Sequence, residues 1–118
     1  MANVTSLISF NPSGPVNFAP IGTVAVSGTT TTASGSFTTT NSKNASSVMV
    51  YNSGTTTAFV AFGNTTATAS VPTTETASAT PVAGGAIVVL VKGTGTDTVA
   101  AIYGSGSGTV YFTSGEGA

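Results

Sequence analysis

An all-β fold, an antiparallel sandwich of about eight strands, is what this chain predicts, and three observations carry the prediction. Thr, Val, Ile, Phe and Tyr dominate, residue types that suit a pleated, half-buried surface. The usual helix formers Leu, Glu, Lys and Arg are scarce. Short apolar runs recur between clusters of Gly, Asn, Ser and Pro, which is the rhythm of strands and turns. The pattern leaves a jelly-roll and an immunoglobulin-like order of strands equally open. A chain of 118 residues fits one domain, divided here into an extended N-terminal arm over residues 1–20 and a sandwich over 21–118. Disorder is the rival reading, but mean hydropathy is +0.38 and net charge −1, whereas disordered chains pair low hydrophobicity with high charge. Residues 29–36 and 65–80, poor in apolar side chains, are the local exceptions.

Taken in order, residues 4–10 read as an extended arm or first strand, broken by Asn11-Pro12-Ser13-Gly14-Pro15. Residues 21–26 form a strand closed by Ser27-Gly28, and 36–40 another. Residues 47–51 and 55–62 read as a hairpin across Asn52-Ser53-Gly54, where the glycine can supply a positive φ. A strand over 67–71 stops at Pro72. Residues 86–92, 97–103 and 109–113 read as a C-terminal meander joined by two Gly-rich turns.

Several of these runs are apolar on both faces. Phe59 and Ala61 share one side of their strand while Ala58, Val60 and Phe62 share the other, and residues 88–91 are apolar without a break. A sandwich strand with one wet face alternates instead. Something is therefore expected to cover the second face: a loop, the arm, or, as favoured here, another subunit of a homo-oligomer. With two lysines in the whole chain, strand edges also have few charges to guard them.

The charged residues are Lys43, Lys92, Glu75, Asp97 and Glu116, and Arg, His, Cys and Trp are absent. No His means no Ser–His–Asp or Cys–His arrangement, and no Cys means no disulfide framework or thiolate metal site. The acids fall in separate segments, so paired-carboxylate chemistry is not expected and the charges read as scattered and solvated, Lys92 facing water at a strand end. Gly93 to Val99 resembles one calcium-binding nonapeptide, but such sites need stacked repeats, and a hairpin loop opening into a strand at Asp97 is the better reading. The run from Gly104 to Gly108 lacks the Lys-Ser/Thr pair and helix of a phosphate cradle, and reads as a flexible hairpin loop. No enzyme, cofactor or metal is expected. Two separated lysines offer no footing for nucleic acid. The first residues lack the basic and apolar regions of a signal peptide, and the apolar run at 86–91 is too short to span a bilayer, so no membrane partner is expected. Phe59, Phe62, Tyr103 and Phe112 read as core. Phe10 and Phe18 flank a Pro-rich segment and read as anchors of an arm onto a neighbour.

Two stretches carry a resemblance beyond composition: Val50-Tyr51-Asn52-Ser53-Gly54-Thr55-Thr56-Thr57-Ala58-Phe59-Val60-Ala61-Phe62-Gly63, and Thr109-Val110-Tyr111-Phe112-Thr113-Ser114-Gly115-Glu116-Gly117. With Pro81-Val82-Ala83-Gly84-Gly85 and Val99-Ala100-Ala101-Ile102 between them, they resemble the capsid decoration (cement) proteins of tailed bacteriophages over roughly residues 47–117. The resemblance implies a non-enzymatic structural virion protein, made in the host cytoplasm and seated on the outer capsid surface. Its partner would be the major capsid protein, whose subunit contacts it stabilises. No functional residue carries over from the resemblance. The contact residues expected from the sequence are Val4, Leu7, Ile8, Phe10 and Phe18, with a second apolar strand face. The alternative is a carbohydrate- or host-binding module of a head fibre or tail, which would need exposed aromatics with polar partners.

Overall fold

In the computed structural model, residues 18–73 and 79–116 are described. The strands are β1 (Ala19–Gly28), β2 (Ala33–Ser36), β3 (Ser47–Asn52), β4 (Ala58–Gly63), β5 (Thr80–Val82), β6 (Ile87–Val91), β7 (Thr98–Tyr103) and β8 (Gly108–Glu116). One short helix, α1 (Thr40–Asn44), lies between β2 and β3. Thr39 caps it by accepting from the Ser42 amide at 3.2 Å, the role a threonine hydroxyl fills at an N-cap.

The strands form two four-stranded sheets, ordered β1-β8-β3-β6 and β2-β7-β4-β5, and every pairing is antiparallel. The all-β sandwich is as the sequence predicts, and its order resolves the open alternative. Of strands consecutive in sequence only β4 and β5 pair; every other connection crosses from one sheet to the other. That is the double Greek key of a jelly roll. In an immunoglobulin-like sandwich β1 and β2 would be hydrogen-bonded neighbours.

This connectivity corrects several local expectations. Residues 47–51 and 55–62 are not a hairpin, because β3 and β4 lie in different sheets. The C-terminal strands are not a meander: β6 and β8 belong to one sheet and β7 to the other, so neither Gly-rich turn closes a hairpin. Glycine turns and apolar runs mark where strands end, but they do not say which partner a strand takes. Residues 67–71 are irregular, and the strand expected at 36–40 lies earlier, at Ala33–Ser36. Phe37 is buried in the core cluster rather than standing mid-strand.

The core fills the space between the sheets. Val26, Val48, Val50, Val110 and Phe112 from one sheet meet Ala58, Val60, Val82, Val99, Ala101 and Tyr103 from the other. Phe62 meets Phe112 edge to face, with centroids 6.2 Å apart at 87°, the preferred aromatic geometry. Of the four aromatics read as core, Phe112 and Tyr103 are fully buried and Phe62 is half-buried against the cluster. Phe59 points away from it, opposite Ile102 and Pro81 on the outer side.

Tyr103 is satisfied as well as buried. Its hydroxyl donates to Asn52 Oδ1, and Asn52 Nδ2 donates to the Thr56 and Val82 carbonyls, both at 2.9 Å. Asn52 Oδ1 also accepts from the Gly54 amide at 2.9 Å, so the buried amide has partners on both sides. A Cβ at Gly54 or Gly108 would lie 2.7 or 2.6 Å from the Tyr103 hydroxyl oxygen. These glycines admit the ring, and the network locks one end of the sandwich.

Candidate interaction surface

Three places in the fold gather chemistry: a polar end, a cleft lined by Thr and Ser residues, and the outer face of the β1-β8-β3-β6 sheet.

At the polar end the sandwich brings together Lys43, Lys92, Asp97 and Glu116, four of the five charged residues; Glu75 lies outside the described ones. The expectation of scattered charges is thus corrected. So is the exposure of Lys92, which is only 6 % exposed. Its ammonium donates to the Lys43 carbonyl at 3.0 Å and the Thr96 carbonyl at 2.7 Å, and lies 5.6 Å from the Phe37 ring centroid. Burial pulls its pKa below the usual lysine value, against the opposing pull of Asp97 and Glu116. The Asp97 carboxylate accepts from the Thr65 amide at 2.8 Å and the Thr98 hydroxyl at 3.0 Å. Those bonds, the Thr65 amide first, hold its pKa below the ordinary carboxylate value. Glu116 accepts from the Ser46 hydroxyl at 2.7 Å and the Ser46 amide at 3.3 Å. The Lys92, Asp97 and Glu116 heads are each tied to the chain's own backbone, so the cluster stitches loops together.

The cleft, of about 190 Å³, lies between β1 and the turn that follows β2. Its lining includes Thr23, Ser36, Phe37, Thr38, Thr39 and Ser42. A hydroxyl becomes a nucleophile when a base takes its proton, and the lining supplies none.

The outer sheet face follows from register. On this sheet Val48, Val50, Val110 and Phe112 point inward, so the residues between them point out. One outward row runs Ala25, Tyr111, Tyr51, Ile87 across all four strands. The next runs Thr23, Thr113, Met49, Val89. Ser47 and Val91 continue it toward the end of the sheet. Ile87 is 60 % exposed, Val91 78 %, and Tyr51 and Tyr111 38 % each. The two tyrosine rings lie nearly parallel, 6.0 Å between centroids at 13°. Thr23 and Thr113 share a hydrogen bond of 2.8 Å. The result is an uncharged, largely apolar face.

The opposite outer face shows what a covered one looks like. Ala61 and Ala100, on β4 and β7, point away from the core yet are buried. Ala67 and Ala69, with Ile102, complete that cluster. The segment after β4 lies over its own sheet, held by the Ala69 amide donating to Thr32 Oγ1 at 3.0 Å. For these strands the second apolar face is therefore covered by the chain itself, where another subunit was favoured from sequence. The alanines match a backbone lying close above, a signal legible in Ala61, Ala67, Ala69 and Ala100 only once topology brings the segments together.

Of the contact residues expected from sequence, Val4, Leu7, Ile8 and Phe10 lie outside the described residues. Phe18 is half-buried, and a Cβ built on Gly115 would come within 2.5 Å of its ring. The ring thus lies over the outward side of Gly115, at the end of the exposed face. Sequence reasoning missed Tyr51, Tyr111, Ile87 and Met49 as surface residues. Alternation along β3 and β8 held the signal, with Val50 and Phe112 marking the inward phase, but only pairing showed that the outward residues form one patch.

Comparison with protein-family models, with curated proteins and with solved structures finds no match to this chain.

Proposed function

We propose that this chain is a non-enzymatic structural protein that works by laying the outer face of its β1-β8-β3-β6 sheet against other protein subunits, as a capsid decoration protein on a virion shell would. The observation that carries the reading is the exposed apolar face itself: Ile87, Val91, Tyr51, Tyr111 and Met49 on one side of one sheet, with no charged side chain in the rows between them. Contiguous exposed apolar surface rimmed by polar residues marks interaction sites, and aromatic and Met side chains are the types enriched in protein interfaces. A mechanical role suits such a surface. Each copy would bury the face across a seam between major capsid subunits, and many weak copies would sum along the shell.

Co-sedimentation of the purified full chain with phage heads lacking their decoration tests this reading. Binding that saturates at a fixed ratio to the capsid subunit, and that falls at least tenfold for the double variant Tyr51→Ser, Tyr111→Ser, is the expected result. Absence of binding by the folded wild-type chain overturns it.

The near-parallel Tyr51–Tyr111 pair favours one second reading, a platform on which sugar rings stack, as in a host- or carbohydrate-binding module. Thr23, Thr113 and Ser27 stand near enough in register to supply hydroxyl partners. A glycan array distinguishes the two: sugar binding lost in the same double variant supports the platform, and heads bound without sugar binding support the protein contact.

A further inference from the structure

Four strands form the edges of the two sheets; two are guarded along their whole length and one, β1, at its start. β1 carries Pro20 and an irregularity between Pro20 and Gly22. β5 is three residues long with Pro81 at its centre. β2 has four residues, Ala-Ser-Gly-Ser. Prolines, bulges and short length are the usual means of keeping an edge from templating another strand. β6, Ile87-Val88-Val89-Leu90-Val91, has none of these: no proline, no charge, no glycine and no irregularity in its pairing with β3.

The ladder fixes which backbone groups this edge presents. The Asn52 amide donates to the Ala86 carbonyl at 3.1 Å, and the Lys92 amide donates to the Ser46 carbonyl at 2.9 Å. In an antiparallel pair hydrogen-bonded positions alternate, so residues 86, 88, 90 and 92 turn their polar groups toward β3. Ile87, Val89 and Val91 turn theirs outward. No described strand pairs with that side of β6.

From this geometry we infer that β6 is a self-association edge, whose occupant is β6 of a second copy of this chain. The strand is close to self-complementary about Val89. A two-fold axis there sets Val89 against the partner's Val89, and Ile87 against the partner's Val91 on both sides. Each of these pairs exchanges two hydrogen bonds, about six in all. Apolar residues meet apolar residues in every outward pair, and there is no like charge to oppose the approach. The two sheets then join into one, and the apolar rows that end at Ile87 and Val91 continue across the axis. Pairing one five-residue edge buries less than the ~1,200 Å² of a small stable interface, so the dimer is a weak one that forms with rising concentration. The inference does not depend on what the outer face contacts.

The test is sedimentation velocity of the full chain from low to high micromolar concentration, with amide exchange measured at both ends of the range. The expected result is a shift from monomer to dimer, with the Ile87, Val89 and Val91 amides fast-exchanging when dilute and protected when concentrated. Val89→Pro removes the central outward donor without touching a bond to β3, and Ile87→Lys with Val91→Lys charges the edge. Both variants, with the wild-type circular dichroism spectrum, are expected to stay monomeric; if the proline variant fails to fold, the lysine variant decides alone. A wild-type chain still monomeric at about 500 μM overturns the proposal, as does a dimer that both folded variants retain. Protection of the three amides in the dilute monomer also overturns it, since the chain's own residues would then cover the edge. Loss of dimerisation with head binding intact, or the reverse, separates this inference from the proposed function.

Discussion

The two outer faces of the sandwich differ in one respect with large consequences. On the β2-β7-β4-β5 side, the chain doubles back after β4 and lays Ala67 and Ala69 over Ala61 and Ala100. On the β1-β8-β3-β6 side nothing described lies over the central rows, and larger side chains such as Tyr51, Tyr111, Ile87 and Val91 face outward. Both faces are apolar in sequence. One is finished within the molecule by small residues; the other stays open among the described residues. An apolar second face thus predicts cover, and side-chain size hints at whether that cover is intramolecular.

The largest expected effect comes from charging the finished face. Ala100→Asp places a carboxylate where no water and no partner reach it, and should destabilise the fold by about 3 kcal/mol or more. Val91→Lys on the open face should change stability by less than about 0.5 kcal/mol. Urea unfolding of the two variants beside the wild type measures both, and equal costs would erase the contrast between the faces.

Next in size is the network at the locked end of the sandwich. Tyr103→Phe leaves Asn52 Oδ1 with one donor fewer inside the core, at an expected cost of about 1–2 kcal/mol. Removing Phe59, on the outer side of β4 beside the covering segment, should leave this network intact. Urea midpoints with the near-ultraviolet tyrosine signal distinguish the two.

A smaller effect is tied to pH. Asp97 holds Thr65, a β-branched residue at φ 74°, at the turn that launches the covering segment. Its pKa is lowered in the folded state, so its contribution is present above the unfolded carboxylate value of about 3.9 and is lost as pH falls through the folded value. Wild type and Asp97→Asn should therefore differ in stability at neutral pH and converge in strong acid. Amide exchange at Ala69 should rise in step, while exchange in β3 and β8 does not.

Much of the fold was legible in the chain. The β-rich composition and punctuated apolar runs gave the sandwich, and the inward positions of β4, β7 and β8 were visible as Val60, Tyr103 and Phe112. Pairing was not legible, because turn residues such as Asn52-Ser53-Gly54 mark a chain reversal equally well for a hairpin and for a crossing between sheets. The candidate surface was half legible: an apolar second face was expected, but Tyr51, Met49 and Ile87 join only through the β8-β3-β6 register. Lys92 was misplaced for a related reason. A lysine at a strand end usually faces water, and the carbonyls of Lys43 and Thr96 that draw it inward come from other turns.

Hydroxyl-radical footprinting of the full chain, free and bound to undecorated heads, tests the central claim most directly. Tyr51, Tyr111 and Met49 are expected to react in the free chain and to be protected on the shell, while Phe59 on the opposite side changes little. Protection confined to Phe59 and its neighbours, with the tyrosines equally reactive in both states, would contradict it.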